Sequence, residues 1–106
     1  MNVGKALPPA LRLAAPGWEA VVLVKPQFEA ARGEAKRGVV RDREVWQRVL
    51  REVAENAPEW GAQTLGVVDS DLPGPKGNRE FFLHLVQRDR PEIPDELDDW
   101  IDDATA

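Results

Sequence analysis

The sequence predicts a small α/β domain in which a helix, a strand, a loop, a second helix and two further strands follow one another. Two observations support this prediction: a clear helical stripe at residues 42–57, and three compact apolar runs at residues 18–25, 62–68 and 79–87. The last two runs are joined by a link too short for a crossover helix, so their strands should be antiparallel. This order corresponds to the second half of a doubly wound α/β sheet.

The length and composition limit what the protein can be. A chain of 106 residues allows one domain with a modest core. No apolar run approaches about 18 residues, so we expect no membrane span, and the N-terminus shows no signal-peptide pattern. The absence of cysteine excludes disulfides and thiolate metal sites and favours a cytoplasmic location. With one histidine and no carboxylate spacing typical of a cation loop, we expect no metal site.

The first half of the chain is expected to begin with a short helix at residues 7–15, ended by Pro16 and Gly17. Residues 18–25 form a continuous run of valine and leucine, which is typical of a strand buried on both faces, and Pro26 ends it.

The second half contains the long helix and the two remaining strands. Residues 28–41 carry charges and two glycines with little period, which predicts a loop. Asp42 is a good N-cap for a helix that should continue to about Ala57. Residues 62–68 predict the second strand. Residues 79–87 predict a third strand that is apolar on both faces and therefore central.

The C-terminal segment is strongly acidic. Residues 89–103 carry eight acidic residues and one arginine, about −7 in net charge, whereas residues 1–88 carry about +2. We therefore divide the chain into a folded part, 1–88, and an acidic tail, 89–106. Apolar side chains at helical spacing within the tail allow a short amphipathic helix docked on the body, and a solvated, partly disordered terminus is the alternative.

Lys25 and Glu80 are the candidate site residues with the most informative positions. The lysine follows the first predicted strand and the glutamate lies at the start of the third, 55 positions later. Two such residues can meet at one edge of a sheet. The alternative is a lysine whose stem packs on the strand end and a glutamate that faces solvent.

A basic cluster spans the predicted loop and the start of the long helix, and the stretch carries about +3 in net charge. Such a cluster suits contact with the phosphates of a nucleic acid, which would be sensitive to salt. The alternative is a solvated helix face with local ion pairs. The residues of the basic cluster are Arg32, Lys36, Arg37, Arg41, Arg43 and Arg48.

His84 lies inside the third predicted strand, where a packed neutral ring is more common than a catalytic one.

Three stretches of the chain resemble one family. They are KALPPALRLAAPG at 5–17, VLVKPQFEAARGEAKRGVVRD at 22–42 and GVVDSDLPGPKGNREFFLHL at 66–85. Together they resemble the C-terminal half of the FtsJ-like RNA methyltransferases of the TlyA or hemolysin A type. That resemblance implies an S-adenosylmethionine-dependent ribosomal RNA 2′-O-methyltransferase. It also implies the C-terminal half of a Rossmann-like methyltransferase sheet, in keeping with an antiparallel last strand. The acidic C-terminal tail has no counterpart in the family.

The resemblance assigns roles to residues of this chain. Lys25 and Glu80 match the second lysine and the glutamate of the family's Lys-Asp-Lys-Glu catalytic set. Lys25 would deprotonate the ribose hydroxyl, and Glu80 would hold Lys25 or bind the ribose. The first lysine, the aspartate and the glycine-rich cofactor loop have no match, so we expect no S-adenosylmethionine binding and no activity from this chain alone. The residues expected to contact RNA are Arg32, Lys36, Arg37, Arg41 and Asn78.

Two further expectations concern partners. A catalytically dead RNA- or protein-binding module derived from the family is the alternative function, with the acidic tail as a partner-binding arm. Half of a doubly wound sheet also leaves one strand edge and apolar faces uncovered. We therefore expect self-association, most simply as a homodimer.

Overall fold

The structure is a computed structural model that describes residues 2–30, 33–35, 38–72 and 74–106. No helix in this part of the chain has the length and apolar character needed to cross a membrane. Its helices and strands are α1 (Val3–Arg12), β1 (Glu19–Val24), α2 (Pro26–Glu29), α3 (Arg43–Asn56), β2 (Ala62–Asp69), β3 (Phe81–Gln87) and α4 (Leu97–Ala104).

The three strands form one antiparallel sheet in the order β1-β3-β2. The last strand, β3, pairs antiparallel with both neighbours, so β1 and β2 run parallel to each other on either side of it. The prediction of a central, antiparallel last strand is confirmed. The register of β2 shifts between Thr64 and Gly66, which leaves Leu65 as a bulge residue.

The two faces of the sheet differ in burial. One face carries Val24, Leu83 and Val67, which join side chains of α1, α3 and α4 in a single core. The opposite face, which we call the open face, exposes 70% of Val21 and 56% of Val68. The expectation that β1 is buried on both faces is therefore wrong, because the helices of the described residues contribute to the core on one side of the sheet.

Helix α3 agrees with its sequence pattern. The Asp42 side chain accepts a hydrogen bond of 2.9 Å from the backbone N–H of Glu44, as an N-cap should. Val49, Leu50 and Val53 are buried along one stripe of the helix. The predicted bounds are thus correct to within a residue at each end, and the stripe supplies much of the core.

Helix α1 begins four residues before the predicted start. Pro8 and Pro9 lie inside it, although proline usually ends a helix pattern. Val3 is buried in the core, and its backbone N–H donates to the carboxylate of Glu29. Burial raises the pKa of Glu29, against the lowering effect of this hydrogen bond. The tertiary contacts of Val3 and Glu29 thus extend the helix beyond its local signals.

The acidic C-terminal segment contains the docked helix rather than the solvated terminus. Leu97 and Ile101 of α4 are buried in the core. Arg79 donates to the carbonyl oxygen of Ala104 at 2.9 Å, and Arg43 donates to that of Thr105 at 3.0 Å. The aspartates of α4 are exposed, although Asp98 forms an ion pair with Arg51. Arginines of the body also bind the carbonyl groups at the C-terminal end of the helix.

Asp69 makes the stability of this region depend on pH. Burial raises the pKa of Asp69, but the N–H of Asp71 and the Arg79 guanidinium outweigh it, so the pKa lies below its ordinary value. The unfolded chain therefore binds the proton more tightly. The stabilisation is complete above the ordinary carboxyl pKa of about 4 and is lost as the pH falls through the lower, folded value.

Replacing Asp69 with asparagine should lower the free energy of unfolding by about 1 kcal/mol at neutral pH. The difference between the two proteins should shrink as the pH falls below about 4, because the wild-type carboxylate loses its advantage as it becomes protonated. Urea unfolding followed by tryptophan fluorescence at a series of pH values measures this. A difference that stays constant over the whole range would contradict the assignment.

Candidate functional site

Lys25 and Glu80 lie at the same end of the β1–β3 ladder. The last pair of that ladder joins Val24 to Phe81. Lys25 directly follows the first of these residues, and Glu80 directly precedes the second. Because the strands are antiparallel, both residues sit at one edge of the sheet. We call this place the Lys25–Glu80 edge.

Lys25 is half-buried at the turn from β1 into α2. Pro26 follows it, and the lysine backbone is extended, with φ −109° and ψ 101°. Its Nζ atom lies 5.8 Å from the centre of the Phe28 ring, where the ring face attracts an ammonium group. No ion pair between Lys25 and Glu80 occurs in the described residues. The amine is therefore not held by the carboxylate in this structure.

Glu80 is buried, with 8% of its surface exposed, so the alternative of a solvent-facing glutamate is wrong. Its Oε2 atom accepts a hydrogen bond of 3.3 Å from the side-chain amide of Gln27. A carboxylate can accept about four hydrogen bonds, so this one retains acceptor capacity. That capacity suits a ligand hydroxyl.

Gln27 belongs to the Lys25–Glu80 edge, although it was not among the predicted site residues. It lies in α2, two residues after Lys25, and its amide nitrogen donates to Glu80. Its Oε1 atom is buried and has no hydrogen-bond partner within the part of the chain that is described. An unpaired buried oxygen of this kind is costly unless a ligand or water completes it. The sequence feature that could have indicated Gln27 as a site residue is its position inside the phrase VKPQFE, residues 24–29.

Gly74 leaves the space that the Glu80 carboxylate occupies. A Cβ atom at position 74 would lie 2.7 Å from Oε2 of Glu80 and 2.8 Å from the backbone oxygen of Asn78. Real Cβ atoms essentially never come so close, and one of the two neighbours is backbone. The glycine is therefore required by close packing.

The substitution Gly74→Ala is expected to displace Glu80 and to destabilise the fold by about 1–3 kcal/mol through overpacking. Gly66→Ala is the matched control, because a Cβ atom at position 66 meets nothing within 4 Å. Chemical denaturation of both variants gives the comparison. If Gly74→Ala and Gly66→Ala were equally stable, the segment between β2 and β3 would relax around the added methyl group. That result would contradict the requirement for glycine at position 74.

Asn78 is buried, with 2% of its surface exposed. Its Nδ2 atom donates to the carbonyl oxygen of Gly38 at 2.8 Å, and its Oδ1 atom accepts from the backbone N–H of Val40 at 2.9 Å. The side chain therefore bonds protein backbone at both ends of its amide. This burial does not fit the prediction that Asn78 contacts RNA directly. The sequence alone does not show that the backbone of residues 38 and 40 covers the side chain.

The basic cluster separates into residues with different surroundings. Arg48 forms an ion pair with Glu34 and lies 3.5 Å from Glu52, as the alternative of local ion pairs anticipates. Arg43 donates to the backbone of the C-terminal segment. Arg41 is exposed directly after Val40. The remaining predicted RNA-contacting residues, Arg32, Lys36 and Arg37, lie outside the described residues.

His84 lies on the open face, away from the Lys25–Glu80 edge. Its Nε2 atom is 3.2 Å from Oε1 of Glu19, and 42% of its side chain is exposed. The ring is thus less buried than the sequence suggested. In the described part of the chain, no cluster of histidine and carboxylate side chains could hold a metal ion.

An apolar groove of about 330 Å³ runs between α1 and the outer side of β1. Its floor and walls include Leu7, Val22 and Phe28, and Lys25 is the charged residue in its lining. The groove therefore ends at the Lys25–Glu80 edge.

Comparison with known proteins places the chain in a family. No protein-family model matches it. Over 108 aligned residues, which include 100% of this chain, it is 39% identical to the 16S/23S rRNA (cytidine-2′-O)-methyltransferase TlyA of Mycobacterium tuberculosis strain H37Rv. The chain spans only 40% of the length of that relative.

Two solved structures share the fold. The first belongs to a protein from Streptococcus thermophilus with the provisional name hemolysin; the TM-score is 0.86 at 32% identity, over 96% of this chain and 38% of that one. The second, also provisionally named a hemolysin, is from Lactococcus lactis; the TM-score is 0.87 at 30% identity, over 96% and 50%. The sequence resemblance is therefore confirmed: the chain belongs to the TlyA/hemolysin A family and matches the C-terminal part of its longer members.

Proposed function

We propose that this chain forms the part of an S-adenosylmethionine-dependent ribosomal RNA ribose 2′-O-methyltransferase that carries Lys25 and Glu80. The observation that carries the proposal is the common edge at which these two residues lie. Family membership supports it, because the relative with 39% identity is named as an rRNA methyltransferase. We propose that the activity is cytoplasmic and that this chain alone is inactive.

Lys25 and Glu80 have complementary tasks in this proposal. The ribose 2′-hydroxyl must lose its proton as it attacks, and Lys25 is the proposed acceptor of that proton. A positioned general base of this kind contributes about 10²–10⁴-fold to the rate. Glu80 accepts a hydrogen bond from the ribose with the acceptor capacity that Gln27 leaves open.

The methyl donor of the family does not fit the groove beside β1. S-adenosylmethionine carries a sulfonium cation and ribose hydroxyls, which call for acidic or polar partners. The groove is lined by apolar side chains, and its charged residue is the cation Lys25. We therefore assign no cofactor-binding residue and no step through the donor to this chain.

Four residues of the basic cluster, Arg32, Lys36, Arg37 and Arg41, are proposed to contact the phosphates of ribosomal RNA. Arg41 is exposed at the start of α3, and Arg32, Lys36 and Arg37 precede it in the sequence. Each phosphate contact should make RNA affinity more dependent on salt. Asn78 is buried, so we propose that it supports this surface from below, through its bonds to the backbone of Gly38 and Val40.

The sheet is proposed to be the C-terminal half of a Rossmann-like methyltransferase sheet. The strand order β1-β3-β2, with an antiparallel strand at the centre, is compatible with this proposal. The outer edge of β1 is also compatible with it, because no strand of the described residues pairs there and a parallel sheet could continue.

A catalytically dead RNA- or protein-binding module is the second candidate function. The poor fit of the methyl donor to the groove favours it. In that case the Lys25–Glu80 edge would be retained for packing, and RNA binding would not depend on Lys25.

A chimera distinguishes the two candidates. The matching segment of Mycobacterium tuberculosis TlyA is replaced by this chain, and transfer of labelled methyl groups to unmethylated ribosomal RNA is measured. We expect transfer by the chimera and none by this chain alone. A folded chimera that binds RNA without transferring methyl groups would contradict the enzyme proposal and support the binding module.

We also propose that this chain forms a homodimer through the outer edge of β1. Residues 20–24 of this edge are all apolar, whereas natural edge strands usually carry protective charges. Two copies of one strand can pair antiparallel across a two-fold axis, which gives a closed interface. The adjacent open face, with Val21 exposed by 70%, would continue across the two sheets.

Light scattering at increasing concentration is expected to report a dimer for the wild-type chain and a monomer for Val21→Lys. Leu72→Lys is the control, because Leu72 is 66% exposed but lies in the link between β2 and β3. A compact wild-type monomer at high concentration would contradict the homodimer. If the wild-type chain forms a dimer and the chimera does not, the remainder of the longer protein covers the same edge of β1.

A further inference from the structure

Asn78 joins two segments that are far apart in the sequence. One is the link before β3, which contains Gly74 and Asn78; the other is Gly38–Val40. The amide nitrogen donates to Gly38 and the amide oxygen accepts from Val40, at 2.8 Å and 2.9 Å. The asparagine is 2% exposed, and its bond to Val40 is buried, while its bond to the exposed Gly38 is part-buried.

Val40 is held in three ways. Its N–H donates to Asn78, its carbonyl oxygen accepts from the Trp46 indole at 3.1 Å, and its side chain is 1% exposed. Arg41 follows it directly in the sequence. The backbone from which the Arg41 side chain projects is therefore fixed relative to the body of the domain.

The same contact lies close to the Lys25–Glu80 edge. Glu80 is two residues after Asn78, and the Asn78 carbonyl oxygen accepts from the N–H of Gly74 at 2.9 Å. Gly74 in turn packs against the Glu80 carboxylate. The segment from Gly74 to Asn78 thus contacts the proposed catalytic carboxylate and also bonds the backbone of Gly38 and Val40, directly before Arg41.

We propose that Asn78 is a positioning residue that fixes the backbone before Arg41, through Gly38 and Val40, relative to Glu80. The inference rests on the proposed function, in which Arg41 contacts RNA. Asparagine is suited to this task because it offers a donor and an acceptor together. Aspartate would keep the acceptor for Val40 but would place a carboxylate oxygen against the carbonyl of Gly38.

Amide hydrogen exchange tests the clamp itself in the full chain, without RNA. Asn78→Ala is expected to accelerate exchange of the Val40 N–H by at least about 10-fold, while the Leu83 and Leu85 amides of the central strand stay protected. Asn78→Asp should keep part of the Val40 protection. Equal acceleration of all three amides in Asn78→Ala would mean global destabilisation and would overturn the local role.

A double-mutant cycle with Arg41 tests the connection to RNA. Fluorescence anisotropy measures the affinity of the wild-type chain, Asn78→Ala, Arg41→Ala and the double variant for a ribosomal RNA fragment. Asn78→Ala is expected to weaken binding by about 10-fold, equal to about 1.4 kcal/mol, and to have little further effect when Arg41 is already alanine. Additive effects would overturn the positioning role, because Asn78 would then act independently of Arg41.

The two experiments fail separately. If the wild-type chain binds no RNA, the proposed RNA contact is wrong, and the positioning role toward RNA falls with it. If RNA binds but the Val40 N–H exchanges equally fast in wild type and Asn78→Ala, the clamp is wrong and the proposed function stands.

Discussion

Replacing Arg79 with alanine is expected to lower the free energy of unfolding by about 3 kcal/mol. The guanidinium forms an ion pair with Asp69 and donates to the carbonyl oxygens of Ala104 at 2.9 Å and Ala106 at 3.2 Å. It also lies 4.8 Å from the centre of the Trp46 ring. Hydrogen bonds to a charged group contribute about 1.5–3 kcal/mol, and a cation–π contact adds about 0.5–1 kcal/mol.

The loss should be concentrated at the C-terminal helix. Arg79 connects the end of α4 to the start of β3. Without it, that end of the helix keeps the bonds that it makes with Arg43 and Gln47, while Arg51 still pairs with Asp98 in the first turn. We expect faster amide exchange in α4 than in β3 of the variant.

Urea unfolding measures the loss, with Arg90→Ala as the control. Arg90 is exposed in the segment before α4, where a substitution should change stability by no more than about 0.5 kcal/mol. If the two variants were equally stable, Arg79 would not be the residue that anchors α4. Arg79→Lys should recover the charge but not the bonds that the planar guanidinium makes with several acceptors at once.

The second large effect concerns Lys25 in the TlyA chimera. Lys25→Ala is expected to reduce methyl transfer by about 10²–10⁴-fold, because the proposed general base is lost. The KM for RNA should change little, since the phosphate contacts remain. Lys5→Ala is the matched control, because Lys5 is an exposed lysine of α1 outside the Lys25–Glu80 edge.

Single-turnover assays over a range of enzyme and RNA concentrations separate the two outcomes, because the limiting rate reports the chemical step and its concentration dependence reports RNA affinity. A slow chemical step with unchanged RNA affinity would agree with a catalytic lysine. Weaker RNA binding with an unchanged chemical step would instead make Lys25 a phosphate contact and contradict its role as the base.

The pattern of apolar residues predicted the centre of the fold. The apolar character of both faces predicts that strand β3 is central, as the structure shows. The N-cap Asp42 and the apolar stripe of the helix predict the bounds of α3. These features depend on local periodicity and on capping chemistry, which a sequence displays directly. The early start of α1 depends instead on Val3 packing in the core, which no local pattern encodes.

The candidate site was predictable in part. Lys25 follows one apolar run and Glu80 lies at the start of another, so the two could be expected at one edge of the sheet. The pairing and register of β1 and β3 come from the structure. The burial of Asn78 could not be foreseen, because it arises from contact with residues 38 and 40, in a segment that reads as a plain loop. Gln27 was missed for the same reason: its role depends on Glu80, 53 positions away.

The central claim is that Lys25 and Glu80 act as one catalytic unit, and single-turnover methyl transfer by the chimera tests it most directly. The variants are Lys25→Ala, Glu80→Gln and the double substitution. Residues of one unit have strongly non-additive effects on rate. The account predicts that the double variant is about as slow as the slower single variant. Wild-type rates in either single variant, or rate losses that multiply in the double variant, would contradict it.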